Sequence, residues 1–293
     1  MSVNTTPWPR PSTWPAAAAA ETTLATTYAA ASKLLPDSAD WCVAASTLHA
    51  AHAVVLTQQD PWGGYTVGAT PAPPLASPPK DKKGALSSLK KAIAGAGDAA
   101  KAGLAKAPAG VEALLWASLQ VCCDVDAAWC DDPAVKRPAP IVGSVVPSQI
   151  TLESSADAAA AALETLNALV YTLSTALGRV AGSDPLHAEM SARLAQTGAL
   201  RDGLQLIIRT GGQAPAPPSL SYPLPDKIGQ PDAVRPAWGQ LEANLGQAYT
   251  RLAGTLGAGD GPMPASSAAA QAGDQLARAT AMGQTITWWP GWV

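Results

Sequence analysis

Between Leu152 and Leu177 the chain reads Leu152, Ala156, Ala159, Leu163, Leu166, Val170, Leu173 and Leu177, an unbroken 4,3,4,3,4,3,4 spacing of apolar or small residues. That spacing lays a single stripe along one face of an α-helix, of about seven turns over this length. The same periodicity returns in at least six segments, and no segment alternates with period two over any length. The chain is therefore expected to be all-α.

A second pattern rides on the first. Glu164 and Tyr171 lie seven residues apart near the stripe, and the same pair recurs as Glu21/Tyr28 and Glu242/Tyr249 in a chain with five tyrosines. The repetition suggests a duplicated plan. A Pro/Trp-rich arm (1–15) precedes a first helical unit (16–130), a Pro-rich linker (131–149) leads to a second (150–285), and a Trp-rich tail (286–293) ends the chain.

In the first unit, helices are expected over 16–35, around Trp41 to Val55, over 85–106, and from Val111 to Trp129 with Pro108 in the opening turn. Asp37, Ser38 or Asp40 can cap the second of these, and Gly95, Gly97 and Gly103 weaken the third. The second unit should carry helices near 151–180, 185–210, 231–257 and 264–284. Each unit has a Pro-rich loop, Ala-Thr-Pro-Ala-Pro-Pro at 69–74 and Gln-Ala-Pro-Ala-Pro-Pro at 213–218. Two four-helix units in tandem is the expectation, with one larger helical bundle as the alternative.

Composition narrows the partners. Hydrophobic residues make up 47% of the chain while Phe is absent and aromatics are 5%, so alanine dominates and helices can approach closely. Charged residues are 14%, below the usual quarter, which suits a subunit with neighbours. A net charge of −3 argues against a nucleic-acid surface. The lysines between Lys80 and Lys106 read as a solvated face. The N-terminal residues show no basic stretch followed by an apolar one, and no run of about 18 apolar residues occurs. A cytoplasmic protein without membrane partners is expected.

The four cysteines, Cys42, Cys122, Cys123 and Cys130, lack zinc-site spacing with a histidine partner and read as small buried hydrophobes. There is no Gly-x-Ser-x-Gly, no phosphate-cradling loop and no His-Glu-x-x-His, and histidines number three. No enzymatic activity and no cofactor are expected. His52 falls on an apolar stripe and reads as a satisfied core residue, whereas His49 reads as more exposed.

Four stretches carry a family resemblance: Leu163-Glu164 through Tyr171, Arg193 to Arg209, Tyr222-Pro223-Leu224-Pro225, and Trp238 to Leu252 with Leu241-Glu242 and Tyr249. Over about 150–260 the chain resembles an actinobacterial ferritin-like domain family of unknown function, and 16–130 looks like a diverged second copy. The resemblance implies four-helix ferritin-like bundles with a long crossover loop. Metal-binding proteins of that fold draw a Glu from each of two helices and Glu-x-x-His from each of the other two. Glu164 and Glu242 resemble the single-Glu positions, but the other two helices lack the signature. His187 and Glu189 stand in the wrong order, and 264–284 has neither Glu nor His. Glu164, Glu242 and His187 are thus the weak metal candidates. The alternative for the repeated pair is a polar core network in which a tyrosine hydroxyl serves the buried carboxylate.

Function is expected to lie in the tails. Five of the ten tryptophans are Trp8, Trp14, Trp288, Trp289 and Trp292. Large rigid indoles are favoured at interfaces. The expected role is a non-catalytic structural or interaction subunit, bound to other protein subunits or to copies of itself within a shell, virion or cargo complex, with these tryptophans as anchors. The alternative is a ferritin-like metal or small-ligand protein. Tails folded back over gaps in the alanine-rich core would leave no anchor.

Overall fold

The computed structural model describes residues 13–58, 60–62, 75, 77–133, 135–140, 147–259 and 261–292. Among them are eight α-helices and no strand: α1 Thr13–Ala31, α2 Ala39–Thr57, α3 Lys82–Leu104, α4 Val111–Asp131, α5 Ser155–Leu177, α6 Pro185–Thr210, α7 Pro231–Leu256 and α8 Ala265–Ala281. The chain is all-α.

Local chemistry explains where the helices depart from expectation. α1 starts at Thr13, inside the expected arm, because Pro15 falls in the first turn, where a missing N–H costs nothing. Four consecutive-turn threonines, Thr22, Thr23, Thr26 and Thr27, each return their hydroxyl to a carbonyl four residues back. Neither Asp37, Ser38 nor Asp40 makes the expected cap. A 3-10 turn at Pro36–Ser38 feeds α2 directly, and Ser38 makes no side-chain cap bond. α4 opens at Gly110 (φ 128°), so Pro108 stays in the preceding loop.

α3 is a full helix despite its glycines. Asp81 caps it by accepting from the Gly84 N–H. A Cβ on Gly103 would lie 2.3 Å from the ring of fully buried Trp116, so this glycine is what lets α4 approach. In the second half, Ser154 caps α5 and Asp184 caps α6 through their side-chain oxygens.

The helices follow one neighbour order twice. α1 packs on α2 and α3, and α3 on α4; α5 packs on α6 and α7, and α7 on α8. α4 also lies against α7 and α8, and a single hydrophobic core runs through both halves. The loops reinforce that seam, with Gly110 N donating to Gly254 O at 2.8 Å and Ala258 N to Ala107 O at 2.9 Å. Gly257 adopts φ 53°, and a Cβ there would lie 2.3 Å from the Ala109 backbone nitrogen, so only glycine admits that approach.

The tail after α8 turns at Gly291 (φ 88°) and runs back between the halves. Gly291 N donates to Gln247 Oε1 at 2.5 Å, and its carbonyl accepts from Arg251. Trp288 and Trp289 are thereby inserted into the core.

Candidate metal centre in the first half

His49 and His52, three residues apart on α2, project from the same face. Across from them stand Glu21 of α1 and Asp126 of α4. His49 Nδ1 lies 2.6 Å from Glu21 Oε2, and His49 Nε2 lies 2.7 Å from Asp126 Oδ2. His52 donates from Nε2 to the Trp288 carbonyl at 2.9 Å. Its Nδ1 faces the same Glu21 oxygen at 3.3 Å and makes no hydrogen bond. Ligand-type atoms of Glu21, His49 and His52 all fall within 4.8 Å of one another, and all three residues are at most 2% exposed.

The surroundings are aromatic and closed to solvent. Tyr28 stacks on His49 with ring centroids 5.8 Å apart, and Trp289 lies over His52 at 4.5 Å. Burial alone raises a carboxylic acid and lowers an imidazole. At Glu21 that push is outweighed by the adjacent His49 and His52, which hold its carboxyl down at about 2. At His49 burial is outweighed by Glu21 and Asp126, which lift the imidazole to about 10. His49 is therefore an imidazolium at neutral pH, clamped between two acidic groups. No Lys or Arg ion-pairs with Glu21 or Asp126 among the described residues.

The second half carries a buried polar network as well, with a permanent cation inside it. Arg193 of α6 donates from Nε and Nη2 to the two oxygens of Glu242 on α7, at 2.7 and 2.9 Å, and from Nη2 to Gln275 of α8 at 2.6 Å. Trp238 Nε1 adds a third bond to Glu242 at 2.8 Å. A bidentate guanidinium satisfies the carboxylate, and both residues are almost wholly buried.

The three weak metal candidates do not converge. Glu242 is spent on Arg193 and Trp238. Glu164 is exposed on α5 and accepts from Ser219 and Tyr222 of the α6–α7 crossover loop. His187 lies in the first turn of α6, partly exposed. The ligand-type residues that do meet are Glu21, His49 and His52, and His49 is wholly buried rather than exposed. The hydroxyls of Tyr28 and Tyr249 do not serve the buried carboxylates Glu21 and Glu242, since both are buried without a partner. The four cysteines are free, buried thiols.

The tryptophans are likewise placed differently from the anchor expectation. Trp14 is fully buried against Trp116 and Trp62, and Trp288 and Trp289 are 5% and 1% exposed within this chain. Trp292 is partly buried, packs on Trp289 and donates to the Ser148 carbonyl. Their apolar area is consumed filling gaps that alanine leaves between helices. Trp8 lies outside the described residues.

The His-x-x-His spacing on a buried stripe was the available signal for this site. Its acidic partners come from α1 and α4, 28 and 77 residues from His49, so no local motif joins them.

Residues 138–292, more than half of the chain, match the family described as Domain of unknown function (DUF4439). No curated protein and no solved structure matches the chain. The matched segment holds the Arg193–Glu242 network and the tail that caps His52; Glu21, His49, His52 and Asp126 precede it.

Proposed function

We propose that this chain, which belongs to the family described as Domain of unknown function (DUF4439), binds one divalent transition-metal cation through Glu21, His49 and His52. One observation carries the reading. Each imidazole has its outer nitrogen held by an acceptor, His49 by Asp126 and His52 by the Trp288 carbonyl, while both Nδ1 atoms face one carboxylate oxygen. Metal-bound histidines are oriented in this way by outer acceptors. Two imidazoles and one carboxylate suit zinc or iron(II) rather than calcium or magnesium.

The residues fit one cation, not the six-ligand pair of metals that the ferritin-like resemblance implies. Bonds of about 2.1 Å place ligand atoms roughly 3.4 Å apart in a tetrahedral shell. The Glu21–His52 separation of 3.3 Å is already close to that value. The Glu21–His49 contact of 2.6 Å holds a proton and opens when a metal replaces it. The Arg193–Glu242 pair supports the same reading from the other half, where a fixed guanidinium does what a bound cation does here. The repeated neighbour order of α1–α4 and α5–α8 supports two tandem ferritin-like units, of which only the first keeps an open site.

The test is metal analysis of the full chain purified without chelator, beside Glu21→Gln. About one equivalent of zinc or iron per chain, lost in the variant, is the expected result. Less than a tenth of an equivalent, with no uptake on adding either metal, contradicts it.

A non-catalytic subunit of a multi-protein assembly is the second reading. Its support is the surface, with charged residues at 14% of the chain and Val43, Leu206 and Leu220 exposed. Sedimentation of the purified chain tests it, a monomer at all concentrations speaking against self-assembly.

A further inference from the structure

A groove of about 680 Å³ runs between α5, α6 and the crossover loop 211–230, inside the family-matched segment and in the opposite half from the metal cluster. Its walls include Leu163, Val170, Tyr171, Pro218 and Tyr222, and Arg201 of α6 lines it as well. The two tyrosine rings lie 5.5 Å apart, tilted by 54°. Glu164 is what keeps the loop in place, accepting from Ser219 Oγ at 3.0 Å and from Tyr222 Oη at 3.2 Å. This gives the Glu164/Tyr171 pair a role: the carboxylate pins the loop and the ring one heptad later forms a wall of the groove.

The charge in this groove is unbalanced. No Asp or Glu lines it. Arg201 makes no hydrogen bond or ion pair with any described residue, and its Nε is buried without a partner. Every other arginine of the second half with a comparably enclosed head is paired, Arg193 with Glu242 and Arg251 with Glu153. Asn167, 6% exposed and also lining the groove, is without a hydrogen bond among the described residues. A groove-lining guanidinium with no acidic partner and a carboxamide with no hydrogen bond, set beside apolar and aromatic walls, form an incomplete site, because desolvated polar groups are ordinarily satisfied.

We propose that this groove binds a small organic acid, its carboxylate on Arg201 and Asn167 and its apolar body between Tyr171, Tyr222, Leu163 and Val170. The guanidinium fork matches a carboxylate in two parallel hydrogen bonds. The volume suits a ring system or a medium acyl chain, and a few convergent polar groups in a mainly apolar cleft are the usual makeup of such sites. The proposal is independent of the metal reading, since none of its residues touches Glu21, His49 or His52.

The test uses the full chain and the fluorescent anion 8-anilinonaphthalene-1-sulfonate as probe, with decanoate and 1-naphthoate as competitors beside their uncharged counterparts decanol and 1-naphthamide. Saturable binding of one probe per chain is expected, displaced by the two acids at least tenfold more effectively than by the uncharged pair. Arg201→Gln should weaken probe and acids at least tenfold, with Arg201→Lys intermediate. Tyr171→Ala should weaken them without changing the preference for acid. The acid-against-amide comparison needs no variant, so a poorly folding Arg201→Gln does not disable the test. Absence of saturable binding, equal displacement by acid and amide, or a folded Arg201→Gln that binds as the parent does, each overturns the proposal.

Discussion

His52 donates its Nε2–H to the carbonyl of Trp288, 236 residues further along the chain, at 2.9 Å. This bond fixes the tautomer of a core histidine in the first half through the last turn of the second. It also makes the tail part of the cluster's wall, with the Trp289 ring tilted against the same imidazole, centroids 4.5 Å apart. Deleting residues 287–293 removes two buried indoles. Loss of a buried Trp costs about 3–5 kcal/mol, so melting of the monomer should fall by roughly 6 °C or more. Metal uptake should become faster in the truncated chain, because the wall over His52 is gone. Unchanged melting in calorimetry contradicts the burial of the tail.

The acid–imidazole cluster gives the metal-free protein a defined pH response. His49 is raised to about 10, so its contribution is present in full below 6.5 and is lost as pH rises through about 10. Glu21 is lowered to about 2, so its contribution is present above 4.5 and is lost as pH falls toward about 2. Urea unfolding in the presence of chelator should show stability declining on both sides of a plateau between these limits. Glu21→Gln should flatten the alkaline decline; an unaltered alkaline limb in that variant speaks against the clamp.

Asp124 works in the opposite sense. Burial raises its carboxyl to about 6, against which Lys101 and Gln120 pull only partly. A raised acid contributes stability below 3.8 that is lost as pH rises through about 6. Asp124→Asn should therefore stabilise the protein at pH 8 by on the order of 1 kcal/mol and change little at pH 4. A destabilised variant at pH 8 contradicts this sign.

The Arg193–Glu242 pair should show strong non-additivity. Removing one partner leaves the other charge buried and costs about 3–5 kcal/mol. Arg193→Met and Glu242→Leu together should cost clearly less than their sum, by a coupling of about 1–3 kcal/mol. A double-mutant cycle in urea measures it, and additive losses would mean the pair is not the unit the geometry describes.

The helices were legible because the 4,3 spacing is a local consequence of burying one face. α6 begins at Pro185 and ends at Thr210 as Pro, Asp184 and the glycines beyond it dictate. α3 was underrated because glycine's cost in an isolated helix ignores what a neighbour gains from it, here the approach of Trp116 to Gly103. Burial of Trp288 and Trp289 follows from the apolar area of two indoles, but sequence holds no information on whose surface covers them. Glu164 and Glu242 share a spacing with Glu21 and a different fate. Pairing partners such as Arg193, Ser219 and Tyr222 come from other helices and loops. The same distance in sequence hid the acid–imidazole cluster, since His49, Glu21 and Asp126 meet only after three helices have packed.

Cobalt(II) reports coordination directly, because its visible absorption depends on ligand number and geometry. Titrating the metal-free full chain with cobalt(II) should give a ligand-field band that saturates at one equivalent. It should be absent in Glu21→Gln and unchanged in Glu164→Gln, whose carboxylate serves the crossover loop. A spectrum identical to that of aqueous cobalt, or a band that survives Glu21→Gln, contradicts a centre built from Glu21, His49 and His52.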